Sequence, residues 1–68
     1  METLEYTTKE GAKYKEIIYG KYLRLEELKE IYEKDGKKCW INPSPNGKWV
    51  LTILMQDAPL MEDEHLYA

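Results

Sequence analysis

The chain has 68 residues, a formal net charge of −3, 43% hydrophobic residues and no Phe. That length admits one domain and excludes most two-domain enzymes. One Cys excludes an internal disulfide, one His excludes the usual Cys/His zinc sets, and net acidity weighs against a generic nucleic-acid binder, whose affinity rests on neutralising phosphates.

Residues 3–8 alternate, with Leu4 and Tyr6 on one side and Thr3, Glu5 and Thr7 on the other. This is the period of a short strand. Residues 9–12 read as a turn in which Gly11 supplies a positive φ. Residues 14–22 are rich in β-formers (Tyr14, Ile17, Ile18, Tyr19, Tyr22) and predict a second strand. The competing reading is a helix over residues 7–19, with Thr7 and Glu10 in capping-box spacing and Gly20 as its stop.

Residues 25–35 predict a helix. Leu25, Leu28, Ile31 and Tyr32 form one apolar stripe, and Gly36 stands where a helix commonly ends. Glu30 with Lys34, and Lys29 with Glu33, are spaced to pair. Residues 38–41 and 48–55 predict a hairpin around the loop 42–47. Pairing Ile41 with Trp49 puts Cys39, Ile41, Trp49, Leu51 and Ile53 on one face, and Lys38, Trp40, Val50 and Thr52 on the other. After Gln56, Asp57 and Pro59 suit the start of a short final helical segment that Leu60, Met61, Leu66 and Tyr67 would dock.

The fold class expected is α+β: a small antiparallel sheet of about four strands in β-β-α-β-β order, one packed helix and a short C-terminal segment, all in one domain over residues 1–68. Such a chain lies below the ~70–80 residues at which one core is comfortably sufficient. Its stability is therefore expected to be modest, or shared with a partner or a second copy.

Several features bear on function. On the helical wheel Glu26, Glu30 and Glu33 lie ~80–140° from Leu25, so three carboxylates line the side away from the apolar stripe. Eight Tyr and Trp residues exceed what so small a core holds. Trp40 is the leading exposed anchor, beside Lys38, because aromatics give a large contact area for little entropy. Tyr19 and Tyr22 form a second cluster. The prolines at 43 and 45 stiffen the loop. Glu62, Asp63, Glu64 and His65 place carboxylates beside an imidazole without the geometry of a ligand set.

Catalysis finds little support. Cys39 lies within a predicted strand as an apolar filler, Ser44 is the only serine, and the glycines are too scattered for a phosphate loop. No enzyme, cofactor or metal site is expected. Without a signal peptide or a spanning segment, and with a lone Cys, the chain is expected in the cytoplasm.

The run Tyr6-Thr7-Thr8-Lys9-Glu10-Gly11-Ala12-Lys13-Tyr14 resembles the start of small winged-helix DNA-binding proteins of the excisionase or MerR type. There a Thr-Lys-Glu-Ala-Ala run opens the first helix. As the alternative function, the resemblance implies a winged helix with the loop 42–47 as its wing, and DNA contacts from Lys21, Arg24 and Lys48.

The leading expectation is a non-enzymatic interaction protein that binds and occludes a surface of a larger partner. Trp40, Lys38, Tyr19, Tyr22, Glu26, Glu30 and Glu33 are its candidate contacts. Nucleic-acid-processing enzymes fall within the partner class, because a carboxylate row can stand in for phosphates. Small acidic domains of this kind are common among inhibitors carried by phages and other mobile elements.

Overall fold

The structure, a computed structural model, describes residues 1–59. Its elements are β1 (Glu2–Thr7), β2 (Lys13–Tyr19), α1 (Tyr22–Lys34), β3 (Lys38–Pro43) and β4 (Trp49–Gln56). The strands form one antiparallel sheet in the order β1-β2-β4-β3. This is the α+β architecture with β-β-α-β-β order that the sequence predicts.

Both hairpins close with the same turn. Thr8 N–H donates to the Ala12 carbonyl at 2.8 Å and Gly11 N–H to the Thr8 carbonyl at 3.0 Å. Ser44 N–H likewise donates to Lys48 at 2.8 Å, and Gly47 N–H to Ser44 at 3.2 Å. Gly11 has φ +96° and Gly47 φ +75°, the left-handed position that ends a three-residue hairpin loop. In the second turn Pro45 presets the backbone of the residue after Ser44.

That turn corrects the hairpin expectation. Asn42 and Pro43 belong to β3, and Ile41 pairs with Leu51, Cys39 with Ile53 and Pro43 with Trp49. The register is two residues from the expected one. A two-residue shift preserves parity, so the face assignments survive. Pro43 is tolerated because β3 is an edge strand and Pro43 its last residue.

The first hairpin also overturns the two helical readings of the N-terminal region. Residues 7–19 run through the end of β1, a turn and β2. The helix that the winged-helix resemblance implies there is a strand pair.

Helix α1 begins at Tyr22, three residues earlier than predicted, with Lys21 as an N-cap that makes no side-chain capping bond. Packing holds it instead: Leu25 is fully buried, and Leu28 and Tyr32 pack against the core. At its other end Gly36 N–H donates to Glu33 O and Lys37 N–H to Tyr32 O, the double closure of a Schellman motif. Ile31 does not join the stripe. It is 60% exposed, as is Leu23 at 73%, because the helix seats along Leu25, Leu28 and Tyr32. Lys29 pairs with Glu33 at 2.8 Å; the predicted Glu30–Lys34 pair is not formed.

The core is one cluster: Ile17, Leu25, Cys39, Leu51 and Ile53, with Tyr19, Ile41, Trp49 and Met55 among the residues packed around it. All lie between α1 and one face of β2, β4 and β3. The helix makes no packing contact with β1. Residues 57–59 are irregular, so no helix opens at Asp57. The predicted docking of Leu60, Met61, Leu66 and Tyr67, and the Glu62–His65 cluster, lie outside the described residues.

Candidate interaction surface

A sheet has two faces, and one helix covers only one of them. Residues that alternate with the core positions point to the other. The register brings them into three rows across the strands: Glu2, Ile18, Val50 and Asn42; Leu4, Glu16, Thr52 and Trp40; Tyr6, Tyr14, Leu54 and Lys38. At ~4.8 Å between neighbouring strands, the two edge strands stand roughly 14 Å apart across this face. Among the described residues no element covers it.

The face is mostly apolar and carries three charged side chains, Glu2, Glu16 and Lys38. Its largest apolar groups stand furthest out: Leu4 is 53% exposed, Trp40 45% and Tyr6 44%. Trp40 and the Leu4–Tyr6 pair lie on the two edge strands; half-buried Tyr14, Ile18, Val50 and Leu54 stand between them, with Glu16 and Thr52 in the middle row. Tyr6 stacks on Tyr14, with ring centroids 5.6 Å apart and planes 23° from parallel. The Tyr6 hydroxyl donates to a Glu16 carboxylate oxygen at 3.1 Å. Partial desolvation raises the Tyr6 phenol above its ordinary range, and the hydrogen bond and charge of Glu16 add to the shift. At the end of the β1–β2 ladder, beside this pair, opens a shallow groove of about 420 Å³ lined also by Glu5, Thr7, Lys13 and Met55, residues that alternate with the open-face positions.

The seven sequence-predicted contacts fall on two sides of the molecule. Trp40 and Lys38 share the open sheet face. Tyr19 packs against the core on the other side. Tyr22 meets the Trp49 ring edge-on, centroids 4.9 Å apart and planes at 67°, so it closes the helix end of the core. Glu26, Glu30 and Glu33 are exposed on α1, across the sheet from Trp40. Leu4, Tyr6 and Tyr14 are the surface residues that sequence reasoning missed. Their alternation was visible, but which strands stand beside which was not.

The reactive groups are enclosed or dispersed. Cys39 is buried, with its Sγ 3.9 Å from the Lys37 carbonyl and 4.0 Å from the Lys29 carbonyl. Burial pushes its thiol up, and the Glu33 charge adds to the effect. Ser44 is a hairpin-turn residue. Among the described residues no three His, Cys, Asp or Glu side chains gather as a metal-holding group, and no helix is long and apolar enough to cross a membrane.

No protein-family model, curated protein or solved structure matches the chain.

Proposed function

We propose that this chain is a non-enzymatic interaction protein that docks the open face of its sheet on a larger partner and works by occlusion, in the manner of an inhibitor. The observation that carries this reading is the largely apolar face that no described element covers, with Trp40 standing 45% exposed upon it. Isolated surface apolar residues are ordinary, but seven Tyr, Trp, Leu, Ile and Val side chains gathered on one sheet face are unusual on a monomer. Trp in such a setting is the residue most often found to dominate binding. Glu16 stands near the centre of the face, and the hydrogen bond it accepts from the Tyr6 hydroxyl offsets part of the cost of desolvating it.

The carboxylates of α1 have a secondary part. Glu26, Glu30 and Glu33 lie across the sheet from the contact, so they steer encounter with a basic partner at long range without touching it. The burial of the Cys39 thiol supports the non-catalytic part of the reading, since the thiolate is the reactive form.

The test is affinity capture from a lysate of the native host, with wild-type chain and the Trp40→Ala variant side by side. One protein retained by wild type and lost with Trp40→Ala supports the reading. Equal retention by both contradicts it.

A further inference from the structure

All six residues of β1 are exposed, and α1 packs on the other three strands only. Among the described residues nothing pairs with the outer edge of β1, where the N–H and C=O groups of alternate residues point outward. Proteins guard such edges with charged side chains, Lys above all, with Pro or with bulges. The opposite edge, β3, carries Lys38 and Pro43. β1 reads Glu-Thr-Leu-Glu-Tyr-Thr, with Glu2 and Glu5 as its charges and neither Lys nor Pro, and the register irregularity of the described sheet lies between β2 and β4.

We propose that β1 pairs antiparallel with β1 of a second copy of this chain, about a two-fold axis at Leu4, to build one continuous eight-stranded sheet. The register follows from three constraints. Outward-bonding residues must face outward-bonding residues, so only registers centred on a residue satisfy the backbone. A centre at Glu5 sets Glu5 directly against its own copy, and like charges in opposite positions are unfavourable. A centre at Thr3 leaves Tyr6 and Thr7 unpaired. The Leu4 centre pairs residues 2–6 of both strands: Leu4 meets Leu4, Glu2 meets Tyr6, and Thr3 meets Glu5, with Thr7 facing Met1. Each Glu5 keeps Lys15 of its own chain as its neighbour on β2.

The helix leaves room for this, since it does not reach β1. Leu4 and Tyr6 lie on the open face, so pairing would join the two open faces into one apolar surface with a Trp40 near each end. The strand pairing stands on the edge itself. Only the use of the doubled surface rests on the partner reading above.

The test is sedimentation equilibrium of the free protein from about 1 μM to about 1 mM, a range that resolves weak dimers. Leu4→Lys and Leu4→Glu variants are run separately and as an equimolar mixture. Leu4 is 53% exposed, so both substitutions leave the core untouched. Wild type is expected to dimerise with concentration, each variant alone to dimerise about tenfold more weakly or not at all, and the mixture to recover association, because only an isologous Leu4 contact brings the two new charges together. A wild-type chain that stays monomeric across the range overturns the proposal. So does a mixture that associates no better than its components. A monomeric wild type whose partner capture is lost with Leu4→Lys would assign the edge to a partner's strand instead, again overturning self-pairing. Loss of capture with Trp40→Ala is a separate readout, so self-pairing and partner docking fail independently.

Discussion

Tyr6 of β1 stacks on Tyr14 of β2, ring centroids 5.6 Å apart, on the sheet face that α1 does not cover. Among the described residues β1 is held by its ladder to β2, by this stack and by the Tyr6–Glu16 hydrogen bond, since α1 does not reach it. Aromatic pairs contribute ~0.5–1.5 kcal/mol beyond their burial. Tyr6→Ala is therefore expected to speed hydrogen exchange in β1 by about tenfold while leaving β3 and β4 protected. Tyr6→Phe, which keeps the stack and loses the hydroxyl, should retain most of the protection. The amides of β1 and β4, followed by NMR exchange, separate the two outcomes.

The core is small enough that each member counts. Leu51 and Ile53 are fully buried beneath α1. Leu51→Ala should cost about 2–5 kcal/mol, a large part of the stability of a domain this size. Urea unfolding followed by far-UV circular dichroism is expected to show a much lower midpoint, or a chain unfolded without urea. Leu23→Ala, at a 73% exposed position, should move the midpoint little.

The two matching hairpin turns provide an internal control. Gly11 and Gly47 occupy equivalent positions with positive φ, but a Cβ on Gly11 would lie 2.8 Å from Pro59 Cδ, whereas one on Gly47 meets nothing within 4 Å. Gly47→Ala should cost about 1 kcal/mol for left-handed strain, and Gly11→Ala more. Adding Pro59→Ala to Gly11→Ala should recover the difference and leave the strain. Equal costs at the two glycines would show that Pro59 does not lie against the turn in solution.

Cys39 sets an alkaline limit. Burial and the Glu33 charge raise its folded pKa above the ordinary thiol range. The fold thus favours the neutral thiol, and that contribution is fully present below the unfolded thiol pKa of ~8.5. It is lost as pH rises through the raised folded value, because the unfolded chain then binds fewer protons than the folded one. The raised Tyr6 phenol acts in the same direction above pH ~10. Urea midpoints measured upward from neutral pH should begin to fall in the thiol range, and Cys39→Ala should fall less steeply there from a lower starting value.

The element order was legible because strand alternation and the α1 stripe are local signals. Face assignments were legible because parity survives a two-residue slip: Trp40 stays on the open face, opposite Val50 in the expected register and opposite Thr52 in the observed one. The register itself was not, since it depends on Ser44 and Lys48 closing around a three-residue turn, a matter of loop geometry. Ile31 was misplaced because the helical wheel gives angles but not the seat. Tyr22 against Trp49 and Tyr32 over the sheet turn α1 so that Ile31 faces water. The site was half legible. Trp40 and Lys38 follow from alternation on β3, but their face is completed by β1 and β2 residues that only the strand order brings onto it.

The account rests on the open sheet face, and the most direct measurement is the affinity of the captured partner for three chains: wild type, Trp40→Ala and the Glu26→Gln/Glu30→Gln/Glu33→Gln triple variant. Loss of a central anchor costs about 2 kcal/mol or more, roughly thirtyfold in Kd. The account predicts that loss for Trp40→Ala, carried by faster dissociation, while the triple variant slows association at low salt and leaves dissociation unchanged. The reverse pattern, full affinity with Trp40→Ala and faster dissociation with the triple variant, would place the contact on α1 and contradict it.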